Sequence, residues 1–272
     1  MKRISILILM SLAAAAGGAC AQQSGSPTGV ATPAEQPQQP RWALGLGAAV
    51  SNAVYAGEGT RVTPFPLVTY RGERFFWRGI GGGAHLFKSS GFALDAILSA
   101  RLDGVDRDDF GEVELAERGI ARALLEDRDH GLDLGIAGTW RGGMGQIELE
   151  IKGDVTGTSK GYEAGIKYAY PFQWGGARIS PHVGVSHLSK KMANYYYGTL
   201  PEETARGVVD YKPGSATVPR IGVDIVRPFA GRWAFIGNVA YKKLPGKISD
   251  SPLVEKDTDG VVSAFFGVSR GF

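Results

Sequence analysis

The sequence predicts an all-β fold: a transmembrane antiparallel up-and-down β-barrel of twelve strands, with ten as the alternative, preceded by a signal peptide and a disordered linker. Three observations predict it. From Arg41 onward the chain falls into runs of about 10 residues that alternate between an apolar and a polar or small face, the pattern of strands with lipid on one side. Tyr, Trp and Phe collect near the ends of those runs, where a membrane meets water: Trp42, Trp140, Tyr170, Phe172, Trp233 and Tyr241. The chain ends on Phe272 after alternating apolar residues, the C-terminal pattern that barrel-assembly machinery recognises.

Residues 1–21 read as the signal peptide. Met1-Lys2-Arg3 is a basic start, and Ile4 to Ala16 is an apolar run too short to span a bilayer. Ala19-Cys20-Ala21 fits small-x-small cleavage, with Gln22 as the first mature residue. The one cysteine, Cys20, would leave with the signal, so the mature chain would carry no disulfide and no Cys metal site. The rival reading makes Cys20 a lipidated N-terminus; Gly17-Gly18-Ala19 lacks the Leu-like residue usual three places before such a cysteine. Residues 22–40 are rich in Pro, Gln and Ser, with one charge at Glu35, and have too little to bury to fold. As an extended spacer they would reach roughly 60 Å.

Residues 41–272 form the barrel. Trp42, Leu44, Leu46, Ala48 and Val50 share one face, and similar runs follow through Phe92–Ala100, Leu132–Trp140, Ile147–Ile151, Tyr162–Tyr170, Ile179–Val185 and Trp233–Tyr241. A soluble sandwich also alternates, but its strands average five to six residues. Eleven runs can be counted: 41–51, 61–71, 74–87, 91–102, 130–141, 144–156, 161–173, 177–189, 217–229, 232–244 and 260–272. Single-chain bacterial barrels have an even number. A twelfth strand therefore lies in a long loop, or two early runs are one; the register is least certain between Arg61 and Phe87. Asp103 to Asp129 reads as a loop carrying a short helix. Arg270 interrupts the apolar side of the terminal strand.

Composition agrees. The 40 glycines among 272 residues follow no collagen period, and a mean hydropathy of −0.08 excludes a bundle of membrane helices. A net charge of +3 is too weak to suggest nucleic acid.

By parity the lumen receives Asp95, Arg101, Asp133, Arg141, Glu148, Glu150, Lys152, Glu163, Lys167, Arg178 and His182. Such interspersed signs suit a narrow bore plugged by paired charges, since open pores need about 16 strands. A narrow channel stays open as an alternative. His182, Ser186 and Ser180 share a face, but no orienting acid is evident, so no catalytic residue is assigned. His187 falls on the apolar face near a strand end. Four scattered His, and Asp103–Asp109 without EF-hand spacing, assign no metal site. Gly79 to Ala84 has no βαβ context, so no dinucleotide or other cofactor is expected. Tyr195, Tyr196 and Tyr197, followed by Pro201, Glu202 and Glu203, form a candidate partner-contact loop, or else cover the barrel mouth or line its girdle.

Three segments resemble the MipA/OmpV family of MltA-interacting outer-membrane proteins: Tyr55 to Gly79, Asn194 to Ala205 and Ser249 to Val254. The motif residues are Tyr55, Gly57, Pro64, Pro66, Tyr70, Arg71 and Gly72 in the first, and Asp250, Ser251 and Pro252 in the last. Thr199-Leu200-Pro201 departs from the family pattern. The resemblance implies a non-enzymatic barrel in the bacterial outer membrane, contacting its lipid. It also implies a scaffold that brings a lytic transglycosylase of the murein sacculus to a penicillin-binding protein, with adhesion or envelope-stress roles in other members.

Overall fold

The computed structural model describes residues 40–52 and 54–272. The signal peptide, Cys20 and nearly all of the linker lie outside the described residues.

Thirteen strand segments make one antiparallel sheet: β1 (Trp42–Ser51), β2 (Arg61–Arg71), β3 (Phe75–Arg78), β4 (Gly81–Lys88), β5 (Phe92–Arg101), β6 (Gly131–Gly142), β7 (Gly145–Asp154), β8 (Tyr162–Ala169), β9 (Phe172–Trp174), β10 (Ala177–Leu188), β11 (Ala216–Phe229), β12 (Trp233–Lys243) and β13 (Gly260–Gly271). β8 and β9 both pair with β10 and are two halves of one wall strand, broken at Tyr170-Pro171 where proline has no amide to donate. The wall therefore has twelve strands. The pairing of β1 with β13 joins the two ends of the chain and closes the ring. Closure pairs the first strand with the last, so neither end of the sheet is left as an open edge in lipid.

The twelfth strand is in neither place expected. The single run 74–87 is a hairpin, β3 and β4, that turns at Gly79-Ile80. Gly79 has φ +58, which a side chain would oppose. Three consecutive glycines follow at Gly81 to Gly83, so period-two patterning has no apolar side chains to mark the turn. The other ten runs match strands to within a few residues.

The alternation sets the faces. Leu46, Leu134, Ile136, Leu149 and Ile151 are exposed, as lipid-facing residues of a barrel are. The eleven predicted lumen residues fall on the opposite face, through registers such as Glu148↔Lys167 and Lys152↔Glu163. Arg270 lies outward, its guanidinium 6.0 Å from the Trp233 ring and 5.4 Å from the Phe272 ring, so the charge that interrupts the terminal strand is held over aromatic faces. Trp42 packs on Tyr70 at 4.6 Å and Phe92 on Trp140 at 4.7 Å in the girdle at that end. Most of this girdle gathers at one end; Tyr162 and Tyr241 mark the other.

That end carries short turns, and the opposite end carries long loops: 52–60, 102–130, 155–161, 189–215 and 244–259. Outer-membrane barrels keep short turns in the periplasm and long loops outside. The long loops hold the helices α1 (Glu112–Ala116), α2 (Lys190–Tyr197), α3 (Pro201–Ala205) and α4 (Gly246–Ser249). They fold over the mouth as a cap.

Two predictions follow from this geometry. Leu149→Lys puts a charge on the lipid face near mid-strand and costs about 2–4 kcal/mol in urea unfolding from vesicles; a loss under about 0.5 kcal/mol would place Leu149 off the lipid face. The second concerns the external end of β7. Burial pushes the Asp154 carboxyl up. The Thr156 hydroxyl and the amides of Lys160, Thr156 and Ser159 outweigh this and hold it down at about 2, against an ordinary 3.8. A depressed value stabilises the loop fully above the unfolded value and less as pH falls through the folded one. NMR shifts of the Ser159 and Lys160 amides should hold steady down to about pH 4 and titrate with a midpoint near 2. A midpoint near 4 contradicts the assignment.

Candidate functional site

The lumen charges are arranged in pairs by strand register. Arg101 on β5 is the hub: it reaches Asp133 on β6 (2.6 Å), Asp103 (2.8 Å) and Glu163 on β8 (2.6 Å). Lys152 bridges Glu150 (3.5 Å) and Glu163 (3.8 Å), and Lys167 faces Glu148 (3.6 Å). Glu148 stands opposite Lys167 and Lys152 opposite Glu163 on the inner face, and opposite charges directly across neighbouring strands stabilise one another. His85 and Asp95 meet at 2.6 Å.

Sequence reasoning missed Arg71, Arg78, His85, Arg220 and Asp224 as lumen residues. The parity of Ile221, Val223 and Ile225 would have found the last two. Asp224 lies 3.8 Å from His182 Nδ1 and accepts from the Asn238 amide at 2.6 Å. An acid therefore stands near His182, but 3.8 Å is beyond hydrogen-bond reach. Ser186 lies four residues along the same strand face, about two repeats of the pleat away. The arrangement lacks the nucleophile–base bond that acyl-transfer chemistry requires. His187 points outward and meets the Thr217 hydroxyl at 3.0 Å.

Four arginines differ from the rest of the lumen. Arg71, Arg78, Arg141 and Arg178 face inward toward the short-turn half and have no carboxylate within salt-bridge distance among the described residues. Arg78 lies over the Phe76 ring at 4.8 Å.

Above the lumen, the three family-like segments converge in the cap. Tyr55 is buried; its hydroxyl donates to the Tyr196 carbonyl at 3.0 Å, 141 residues away, and its ring packs edge-on to Phe110 at 5.3 Å. Gly57, with φ +70, lets two loops touch: a Cβ there would sit 2.5 Å from Gly111 Cα. Its amide donates to Glu255 at 2.6 Å. Ser251 donates to the Tyr197 carbonyl at 2.6 Å, and Arg118 donates to the carbonyls of Ser251, Pro252 and Val254. Asp250 caps the end of α4 and is exposed. One apolar cluster joins Tyr55, Phe110, Leu115, Leu125 and Leu253; a second joins Leu188, Met192, Tyr196, Ile248 and Val261.

The tie between the cap loops is Arg128 with Glu203, 2 % and 0 % exposed. Two guanidinium nitrogens meet the two carboxylate oxygens at 2.7 and 2.9 Å. Arg128 also donates to the carbonyls of Gly198 (3.0 Å) and Glu126 (2.8 Å), and Glu203 accepts from the amides of Glu126 (2.8 Å) and Leu200 (2.7 Å). These charge-assisted bonds offset part of the pair's desolvation, while the buried Arg128 Nε has no hydrogen-bond partner among the described residues.

The candidate contact loop is thus mostly internal. Tyr196 and Glu203 are buried, Tyr195 and Tyr197 are half-buried, and Glu202 is exposed. Tyr195 accepts from the Asp129 amide at 2.9 Å. The segment lies in the cap that covers the mouth. Elsewhere in the motifs, Tyr70 belongs to the girdle, Gly72 closes the β2–β3 turn through its amide to Phe75 (2.9 Å), and Pro64 and Pro66 face outward on β2. Phe272 donates its amide to the Trp42 carbonyl at 2.9 Å, pinning the terminus to β1.

Glu203→Leu leaves Arg128 buried without its partner and destabilises the cap by about 3–5 kcal/mol. Limited proteolysis should cut the 102–130 and 189–215 loops while the barrel keeps its folded gel mobility. The double variant Arg128→Met with Glu203→Leu should regain resistance; a single variant as resistant as the parent contradicts the role assigned to the pair.

Comparison with known proteins accords with this architecture. Residues 44–272 match the family model for the MltA-interacting protein MipA. The MltA-interacting protein of Escherichia coli strain K12 is 27 % identical over 224 residues, covering 82 % of this chain and 88 % of that one. Outer membrane protein OmpV of Vibrio cholerae is 26 % identical over 266 residues, covering 97 % and 98 %. Among solved structures, the COG4313 outer membrane channel from Pseudomonas putida F1 overlays with a TM-score of 0.43 at 8 % identity, covering 88 % of this chain and 100 % of that one. LpxR from Salmonella typhimurium overlays at 0.42 and 12 % identity, covering 84 % and 100 %. With the family model spanning the whole barrel and its cap, the chain belongs to the MltA-interacting protein MipA family of outer-membrane β-barrels.

Proposed function

We propose that this barrel acts by binding rather than by catalysis, as an outer-membrane scaffold that docks a murein-cleaving lytic transglycosylase, and with it a penicillin-binding protein, at the periplasmic rim. The observation that carries the reading is the external mouth covered by folded loops. Two apolar clusters and the Arg128–Glu203 pair fill it, and the lumen below is crossed by ion pairs. A barrel of that kind passes little by diffusion and offers rigid rims instead. The name of the Escherichia coli relative supplies the partner class. The rim that faces murein is the short-turn end, where Met144 stands 86 % exposed, and not the Tyr195–Tyr197 segment of the cap. Phe272 would serve the barrel-assembly machinery on the way to the membrane.

The test is capture from detergent-solubilised envelopes with the full-length barrel as bait and identification of bound proteins by mass spectrometry. Recovery of a murein hydrolase or synthase, unchanged by Glu202→Lys in the cap and lost with Met144→Lys at the rim, is expected. Recovery of neither enzyme class overturns the scaffold. A narrow solute channel is the second reading, favoured by a lumen cavity of 260 Å³. Planar-bilayer recording decides it: folded protein without conductance removes the channel.

A further inference from the structure

The two ends of the barrel carry opposite charge. The five long loops of the capped end hold eighteen acidic and eleven basic side chains. The short-turn rim reverses this balance. Nine basic side chains stand there, against one acidic side chain, Glu73, and the terminal carboxylate of Phe272.

The bases are spread around the whole rim. Arg71 and Arg74 flank the start of the β2–β3 turn and its end, and Lys88 leads into the β4–β5 turn. Arg141 precedes the β6–β7 turn, and Arg178 follows the turn between β9 and β10. Arg227 and Arg232 stand at the β11–β12 turn, and Arg41 and Arg270 at the outer ends of β1 and β13. Every turn at this end thus carries at least one base. Backbone pairing sets some of them side by side. The Arg71 amide donates to the Arg41 carbonyl (2.8 Å), and the Gly271 amide, next to Arg270, donates to the Arg232 carbonyl (2.8 Å). Like charges on adjoining strands repel, a cost that an anion from outside would relieve.

The barrel supplies few counter-ions for this ring. None of the nine bases forms a salt bridge among the described residues. The lumen acids nearest this end, Asp95 and Glu148, stand inside the bore and face His85 at 2.6 Å and Lys167 at 3.6 Å. Arg41, Arg71, Arg74, Lys88, Arg227 and Arg232 are exposed.

Position narrows the kind of anion. By strand parity only Arg227 and Arg270 take the lipid face, and Arg270 is held over the Trp233 and Phe272 rings. Arg41, Arg74 and Arg232 lie beyond the strand ends, and Arg71, Lys88, Arg141 and Arg178 follow the inward parity. Most of the ring therefore addresses the aqueous space beside the membrane and not lipid phosphates. A guanidinium pairs with a carboxylate through two parallel hydrogen bonds. Such pairs are weak singly and add up when a ligand repeats its carboxylates at many points. A ring with a base at every turn suits an extended polymer lying across the rim, whereas a protein docked on one side would need only a local patch.

We propose that the short-turn rim binds murein itself, through the free carboxylates of its peptide stems. The proposal rests on the reading above in placing the short turns toward the periplasm, and it adds the polymer to the enzymes as a ligand of the same rim.

Co-sedimentation with purified, protein-free murein sacculi tests it, using the full-length barrel in neutral detergent with no enzyme present. Saturable binding at about 50 mM salt, weakened at least fivefold at about 500 mM, is expected because salt screens exposed charges. Arg74→Glu with Arg232→Glu should weaken binding at least tenfold while folded gel mobility is kept. Lys191→Glu with Lys256→Glu, both exposed in the cap, should leave it unchanged. Sacculi with their stem carboxylates amidated should bind at least tenfold more weakly. Binding unmoved in the rim variant, or equal on amidated sacculi, overturns the proposal. Displacement by poly-L-glutamate at a lower carboxylate concentration than soluble murein fragments require overturns it in favour of an acidic protein. Loss of binding in micelles containing phosphatidylglycerol overturns it in favour of lipid. Capture of a murein enzyme from envelopes is read separately, so failure of either reading leaves the other standing.

Discussion

In hydrocarbon, a backbone amide or carbonyl without a partner has no water to turn to, and each one costs several kcal/mol. That constraint shapes the chain at every scale. It requires the ring to close, which β1 and β13 accomplish along nine residue pairs from Ala43↔Gly271 to Ser51↔Ser263. It requires about 10 residues per crossing, the length at which alternate side chains can face lipid and lumen. It also explains the exceptions. Where β8 gives way to β9 and where β2 runs past the β3–β4 tip, proline occupies the chain, so a broken ladder leaves fewer donors stranded.

Once the ring is closed, a second problem arises inside it. Charged residues on the inner face must be satisfied within a narrow bore, and the registers of β5 through β8 meet this by setting acids opposite bases around Arg101. The cap solves the same problem with loops. Arg128 and Glu203 come from different loops and are wholly buried, yet every bond they make is charge-assisted or to backbone. Burial of Tyr55, Phe110, Tyr196 and Ile248 around them turns four of the long loops into a folded lid. The family motifs are, in this light, mainly instructions for building that lid and for managing the β2 edge.

Much of the fold is legible in the sequence because period-two alternation is a local signal. Leu44, Leu46 and Val50 announce a strand and its faces without reference to anything distant. The β3–β4 turn escapes that reading because Gly79 and Gly81 to Gly83 carry no side chains to show parity. The cap escapes it for a different reason: Tyr55 finds Tyr196, and Arg128 finds Glu203, across 141 and 75 residues, and no local pattern encodes such meetings. Family likeness marks Tyr55, Gly57, Tyr196 and Ser251 as notable without saying that they touch. The lumen list is right in its parity but incomplete, since Arg78 and His85 lie in the same glycine-rich stretch that hides the turn.

The central claim is that the capped end faces outward and the short turns face murein. Single cysteines test it directly, placed at Glu202 in the cap and at Met144 in the β6–β7 turn of a chain with Cys20 replaced, and labelled on intact cells with a membrane-impermeant maleimide. Glu202→Cys should label at once, and Met144→Cys after the outer membrane is permeabilised. Labelling of Met144→Cys on intact cells, with Glu202→Cys protected, would contradict the account.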